Sequence, residues 1–187
     1  MSTLEYQDKY LFELINNRWH NKLFDIFLPL IRSPQLWVPL YLFLLIFVLV
    51  NVKASKWWWI LFFGMLPIIT DFISSDLIKE HFFRLRPCNN PEMSDHIRLL
   101  LSYKPQSSSF TSSHATNHFA LATFFYMTLH PFFKSWGKLF FLWAALISYA
   151  QVYVGVHYPL DVISGAIIGI MFGYVYSKFY KQKFQLN

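Results

Sequence analysis

The segment PLDVISGAIIGIMFGYVY, residues 159–176, contains a single charged residue, Asp161, in an otherwise mostly apolar run. A helix of about 20 such residues spans the roughly 30 Å hydrocarbon core of a bilayer. A second segment of this kind covers residues 35–52. The whole chain is 55% hydrophobic and 14% charged, whereas a soluble domain is about 25% charged. The sequence therefore predicts a polytopic membrane protein and not a water-soluble domain.

The hydrophobic segments predict an all-α, polytopic transmembrane helical bundle. The predicted spans are residues 35–53, 57–80, 112–133, 137–156 and 159–178. In residues 1–33 apolar residues recur at helical spacing among acidic ones, which is typical of an interfacial amphipathic helix. A sixth span is left open. No repeat or second domain is evident, so residues 1–187 are interpreted as a single membrane-embedded domain.

The distribution of basic residues predicts the orientation of the bundle. The polar loop 84–111, the turn 155–158 and the N-terminal segment lie on one side. The short stretches on the opposite side carry Lys53, Lys56, Lys134, Lys138, Lys178, Lys181 and Lys183. The positive-inside rule assigns that side to the cytoplasm, so the loop would face outward. We expect a bacterial inner membrane, with the loop facing the periplasm or outside. The net charge of +6 then indicates membrane lipid headgroups, not nucleic acid, as partners.

The first of three polar motifs on the loop side is KEHFFRLRP, residues 79–87. Lys79 and Arg86 are about two helical turns apart and would share a face if the helix continued to Pro87. Two cations beside one spot suit a phosphate, because Arg offers a planar fork and Lys a compact charge. The alternative is a pair of snorkelling bases at the end of a span, with Lys79 paired to Asp76.

The second motif is TSSH, residues 111–114, where a span begins. Free N–H groups in the first turn of a helix bind phosphate, so Ser112 and Ser113 are candidate phosphate ligands beside His114. Ordinary helix capping by serine is the alternative. His114 and His118 are one turn apart, the spacing of a metal pair, but no glutamate accompanies them. We therefore expect no metal and no cofactor.

The third motif, His157 with Asp161 four residues later, lies in AQVYVGVHYPLD, residues 150–161. An acid this close to the membrane is costly without a partner. A carboxylate that accepts from one imidazole nitrogen leaves the other free to attack; a structural hydrogen bond is the alternative. Topology places all three motifs at one membrane face. Their two histidines, one carboxylate and two cations suit phosphoryl transfer through a phosphohistidine.

At these residues the chain resembles the type 2 phosphatidic acid phosphatase superfamily, membrane lipid phosphatases that share a core with vanadium haloperoxidases. The family pattern is Lys-x6-Arg-Pro, then Pro-Ser-Gly-His, then Ser-Arg-x5-His-x3-Asp. The first part is complete here, and the residues kept from the other two are Ser112, His114, His157 and Asp161. Ala150 and Gln151 stand where Ser-Arg is expected. The resemblance covers about residues 57–178.

The resemblance implies a metal-independent hydrolase of lipid phosphates or diphosphates. His157, oriented by Asp161, would form a phosphohistidine, and His114 would protonate the leaving oxygen and then activate water. The phosphate would be bound by Lys79, Arg86, Ser112, Ser113 and Gln151. Undecaprenyl diphosphate, phosphatidate, phosphatidylglycerophosphate and lipid A phosphates are compatible substrates. An outward-facing site favours a carrier lipid such as undecaprenyl diphosphate.

Gln151 supplies an amide donor without the charge of the family arginine. Loss of one charge-assisted contact costs about 1.5–3 kcal/mol, which weakens catalysis without abolishing it. Arg84 and Lys104 are candidates to compensate for the missing charge. Two further interpretations stay open: a phosphotransferase that passes the group to another lipid or a sugar, and a catalytically weak lipid-binding homologue.

Overall fold

The computed structural model describes residues 3–93 and 96–184, and within them the chain forms helices and no strands. Two helices come first, α1 (Thr3–Glu13), extended by a π-helical turn (Leu14–Arg18), and α2 (Lys22–Arg32). A 3-10 turn (Pro34–Trp37) leads into α3 (Val38–Asn51). Helix α4 (Lys56–Asp71) continues through a π-helical segment (Phe72–Ile78) into the short α5 (Lys79–His81). After the long loop come α6 (Ser113–Phe133), α7 (Leu139–Tyr153) and α8 (Pro159–Lys183).

The predicted transmembrane helical bundle is confirmed. Among the described residues, three helices are long and apolar enough to cross a membrane: Pro34–Asn51, Lys56–His81 and Pro159–Lys183. The other two predicted spans correspond to α6 and α7. Helix α6 packs against α4, α7 and α8, so its side chains face protein and it tolerates Thr, Asn and His. Helices α1 and α2 have 11 residues each, too few for the sixth span that the sequence left open.

The contact between α6 and α8 positions the functional end of the bundle. Gly165, Gly169 and Gly173 on α8 lie against the backbone of α6, and such small residues let two helices approach closely in a membrane protein. At the start of both helices, the backbone N–H of Ser112 donates to the carbonyl oxygen of Asp161 at 3.1 Å. The second and third motifs therefore meet at one end of the bundle.

Polar contacts attach the N-terminal helices to this end. The Asn16 amide is fully buried and donates to the carbonyl oxygens of Arg98 at 2.9 Å and Tyr153 at 2.7 Å. Asp25 of α2 accepts from the Arg98 guanidinium at 2.6 Å and from the Tyr153 hydroxyl at 2.7 Å. The loop before α6, the end of α7 and the N-terminal helices are thus held together.

The outer face of α1 carries the apolar residues that the sequence pattern singled out. Leu4 and Leu11 are 59% and 44% exposed, whereas the buried residues of α1 are Asp8 and Phe12. An exposed apolar face suits the headgroup boundary of a bilayer. The interfacial location stays a prediction. So does the single domain 1–187, whose residues 1–2, 94–95 and 185–187 lie outside the described part of the chain.

Candidate active site

The three motifs converge on one cavity of about 780 Å³, a volume typical of small-molecule sites. Its walls come from α2, α3, α4, α5, α6, α7 and the loops before α6 and α8. The predicted site residues that line it are Lys79, Arg86, Ser113, His114, Gln151 and His157. Ser112 and Asp161 do not line it; both are fully buried.

His157 has a partner at each ring nitrogen. Arg86 Nη1 lies 3.1 Å from Nε2. The Ser109 hydroxyl lies 3.4 Å from Nδ1 and donates to Asp161 Oδ2 at 2.5 Å. The direct distance from Nδ1 to Oδ2 is 3.7 Å, longer than an ordinary hydrogen bond, so Ser109 connects the ring to the acid. Because arginine only donates, Nε2 must accept and Nδ1 carries the proton.

The buried position of His157 also sets its charge. Burial lowers the pKa of His157 to about 4, although the nearby negative charge of Asp161 acts in the opposite direction. The imidazole is therefore neutral at neutral pH. Its Nε2 lone pair is available at the cavity as soon as Arg86 turns to another acceptor.

Asp161 is held by three groups around its carboxylate. Besides Ser109, the backbone N–H of Tyr158 donates to Oδ2 at 2.9 Å, and Arg84 donates to Oδ1 at 2.6 Å. The other terminal nitrogen of Arg84 contacts Asp8 at 2.6 Å. A buried carboxylate is expensive unless it is paired and hydrogen-bonded, and this arrangement meets both requirements.

Arg84 and Lys104 do not take the compensating role that the sequence suggested. Arg84 is neutralised by Asp161 and Asp8 and does not line the cavity. Lys104 is exposed and does not line it either. That expectation was wrong, because a local pattern does not show which carboxylates a cation meets. Asp8 was missed for the same reason: its only signal is its position one turn before Phe12 on the inner face of α1.

The first motif reaches the cavity by a different backbone path from the one expected. The helix ends at His81, well before Pro87, and Phe82 leaves the helical region with φ −123° and ψ 83°. Arg86 is then fixed by the Ser107 carbonyl oxygen at 2.8 Å and the Val156 carbonyl oxygen at 3.0 Å. Tertiary contacts, and not helical spacing, bring Arg86 to the cavity.

Lys79 contacts the first turn of α6. Its Nζ donates to the Ser113 hydroxyl at 2.7 Å, and that hydroxyl lies 2.9 Å from Ser75. No ion pair joins Lys79 or Arg86 to a carboxylate within residues 3–93 and 96–184. Two cations at the cavity therefore have neutral contacts, which leaves their charge available to an anion.

Ser112 has the capping role that was the alternative interpretation. Its hydroxyl accepts from the backbone N–H of Ala115 at 3.5 Å, and its own N–H is used by Asp161. Ser112 is thus committed to the junction of α6 with α8. Ser113, in the next position, is the serine of this motif that lines the cavity.

His114 and His118 of α6 both line the cavity but differ in their contacts. Their rings are stacked with centroids 6.2 Å apart, but His118 is hydrogen-bonded to the His114 carbonyl oxygen at 2.8 Å and packs edge-on against Trp143. In the described residues, no three His, Cys, Asp or Glu side chains are placed to share a metal ion. Catalysis without a metal stays a prediction.

Gln151 contacts a residue that sequence reasoning missed. Its Oε1 accepts from Arg32 Nε at 2.9 Å. Its Nε2 is buried and has no hydrogen-bond partner among the described residues. Arg32 also lines the cavity, although in the sequence it is only a base at the end of a short amphipathic segment.

Known proteins share this architecture. The family model of the PAP2 superfamily matches residues 56–185. The chain is 30% identical over 176 residues to the lipid A 4'-phosphatase of Porphyromonas gingivalis, which covers 92% of this chain and 72% of that protein. The crystal structure of Aquifex aeolicus LpxE matches with a TM-score of 0.68 and 33% identity, covering 91% of this chain and 94% of that chain.

A second solved structure is the first transmembrane PAP2 type phosphatidylglycerolphosphate phosphatase from Bacillus subtilis. Its TM-score is 0.71 over 100% of this chain and 90% of that chain, at 18% identity, so this likeness concerns the fold alone. The matched residues 56–185 contain all three motifs and exceed half of the chain. The resemblance found in the motifs is confirmed, and the chain belongs to the PAP2 superfamily.

Proposed function

We propose that this integral membrane protein is a lipid phosphatase that works through a phosphohistidine on His157. The observation that carries the proposal is the arrangement around Nε2. Its lone pair faces a cavity that holds the unneutralised cations Lys79 and Arg86, while Ser109 and Asp161 hold the proton on Nδ1. A neutral nucleophile beside unpaired positive charge is suited to a phosphoryl group.

The first half-reaction forms a P–N bond and breaks the P–O bond to the lipid. The phosphate oxygens draw Arg86 away from Nε2, which then attacks phosphorus in line with the leaving oxygen. His114, as the imidazolium, gives one proton to that oxygen and becomes neutral. Lys79, Arg86, Ser113 and the Gln151 amide bind the equatorial oxygens, where charge accumulates in the transition state.

The second half-reaction returns His157 to its starting state. His114, now without its proton, accepts one from a water molecule that attacks phosphorus. The P–N bond breaks and inorganic phosphate leaves. Asp161 and Ser109 keep the imidazole in one tautomer through both steps, and Ser112 acts indirectly by capping α6.

The remaining wall of the cavity supports a lipid as substrate. The lining of the cavity also includes Tyr41, Phe63, Ile68 and Leu121, which suit acyl chains. The similarity to a lipid A 4'-phosphatase over most of the chain makes a phosphate monoester of lipid A the first candidate. Undecaprenyl diphosphate, phosphatidate and phosphatidylglycerophosphate are the others to be compared.

We also propose that the cavity faces the periplasm of a bacterial inner membrane. The support is the group of lysines on the short connections at the other end of the bundle, together with the positive-inside rule. The proposed outward orientation favours undecaprenyl diphosphate as a second substrate candidate.

The test is phosphate release in detergent from the four lipids, with a chelator present, by the wild type and His157→Ala. We expect release from at least one lipid and a loss of about three orders of magnitude or more in the variant, as for removal of other catalytic nucleophiles. His130→Ala, which changes an exposed histidine at the far end of α6, is the matched control. Unchanged release by His157→Ala would refute the mechanism.

Product analysis with and without an acceptor lipid or sugar separates hydrolysis from transfer. If the wild type acted on none of these lipids, the catalytically weak lipid-binding homologue would be the better interpretation.

A further inference from the structure

Arg32 lies in the cavity although it belongs to a helix outside the matched family region. It is the last residue of α2 (Lys22–Arg32), and the family match begins at residue 56. Its Nε donates to Gln151 Oε1 at 2.9 Å and its Nη2 donates to the Tyr103 hydroxyl at 3.3 Å. These contacts hold the guanidinium in a cavity wall that also contains Lys79 and Arg86.

The surroundings of Arg32 leave its charge unneutralised. Both partners are neutral, and none of the ion pairs in the described residues includes Arg32. Guanidinium has five N–H donors, of which these two bonds use two, so three are available. Next to it, the Gln151 Nε2 is a buried donor without a partner among the described residues.

Arg32 and Arg86 also affect one another electrostatically. Burial lowers the pKa of Arg86, and the positive charge of Arg32 adds to that lowering. Two like charges near one cavity repel each other. An anion between them removes this repulsion, so the pair favours a bound phosphate more than either cation does alone.

We infer that Arg32 is a phosphate-binding residue of this site, held in position by Gln151, and that it supplies from α2 the charge that the family pattern carries at position 151. The inference rests on the proposed function. An arginine at 151 would place its guanidinium beyond the present amide, in the space that the Arg32 guanidinium occupies. This chain provides the guanidinium from a different helix.

The experiment removes the positive charge at position 32, adds one at position 151, or does both. The variants are Arg32→Gln, Gln151→Arg and the double variant, with Lys22→Gln as the control because Lys22 is an exposed base on the same helix. We expect kcat/KM to fall roughly tenfold to hundredfold in Arg32→Gln, as for loss of a charge-assisted contact. The kcat/KM of the double variant should recover to within about tenfold of the wild-type value. In Gln151→Arg alone, the new arginine lies against Arg32, so kcat/KM should stay below the wild-type value.

A second readout does not depend on turnover. Inorganic phosphate that binds the native protein raises its melting temperature in detergent. We expect the phosphate-induced rise to shrink in Arg32→Gln, to return in the double variant, and to be unchanged in Lys22→Gln. This readout decides the role of Arg32 even if the wild type hydrolyses none of the lipids, so failure of the proposed function and failure of this inference are distinguishable.

Two results overturn the inference. One is an Arg32→Gln variant with wild-type activity and wild-type response to phosphate. The other is a double variant as impaired as Arg32→Gln in both readouts, because Arg32 would then serve only to attach α2 to α7.

Discussion

At the scale of single residues, the protonation state of His157 decides whether the proposed chemistry works. Its Nε2 faces the cavity and its Nδ1 faces Ser109 and Asp161. The proton on Nδ1 has a hydroxyl acceptor backed by a carboxylate, so this tautomer is favoured over the other. The nucleophile is therefore prepared before substrate binds.

The lowered pKa of His157 predicts a distinctive pH dependence. Burial shifts the pKa of His157 from 6.5 to about 4. Between these two pH values, His157 binds a proton in the unfolded chain but not in the folded protein. The free energy of unfolding should therefore fall as the pH drops through this window. NMR of ¹⁵N-histidine-labelled protein in micelles, with His157→Ala identifying the resonance, should show a neutral ring at pH 5. A titration midpoint near 6.5 would contradict the buried, neutral His157.

At the scale of helices, the close approach of α6 and α8 sets the distance between the halves of the site. Helix α6 presents Ser113 and His114, and α8 begins next to His157 and carries Asp161. A Cβ added at Gly169 would meet the carbonyl oxygen of Thr116 well inside van der Waals contact. Helix α6 would have to move away from α8 to make room.

We predict that Gly169→Ala destabilises the bundle and impairs catalysis together. Overpacking of this kind costs about 1–3 kcal/mol in free energy of unfolding, and the shift of α6 should lower phosphate release as well. Gly64→Ala is the matched control for the unfolding measurement, because a Cβ at Gly64 meets nothing within 4 Å. Unfolding in mixed micelles and the lipid assay provide the two measurements. If Gly169→Ala had the same free energy of unfolding as Gly64→Ala, the glycines of α8 would not set the helix spacing.

At the scale of the whole molecule, the two ends of the bundle differ in the kind of contacts that they contain, polar at one end and aromatic at the other. One end contains the cavity and the polar contacts of the N-terminal helices. At the other end, aromatic contacts join the helix termini: Trp58 stacks on Phe184 with centroids 4.4 Å apart, and Phe47 lies 5.0 Å from Phe133. The short lysine-containing stretches therefore gather at a single end.

The proposed orientation predicts which end a membrane-impermeant thiol reagent reaches in intact spheroplasts. Gln106→Cys lies on the cavity side and Ser135→Cys on the lysine side, both at exposed positions. We expect labelling of Gln106→Cys and not of Ser135→Cys until the membrane is permeabilised. The unaltered protein is the control, because its one cysteine, Cys88, is 2% exposed. The reverse labelling pattern would place the cavity in the cytoplasm.

The sequence by itself determined the class of the protein and the motifs of its site. Spans can be read from apolar length because the bilayer imposes one thickness on every crossing helix. His157 and Asp161 could be paired in advance because they are one helical turn apart. The spacing of Lys79 and Arg86 pointed to two residues that line the cavity, but for a wrong reason, since the helix between them ends at His81.

Only the tertiary structure decided which groups complete the site. Ser109, Asp8 and Arg32 are separated from their partners Asp161, Arg84 and Gln151 by 52, 76 and 119 residues. No local pattern encodes such pairs, because a side chain's partner depends on how distant helices pack. The same packing made Ser112 a cap and used the charge of Arg84 on two carboxylates. It also left the charge of Arg32 free to face the cavity.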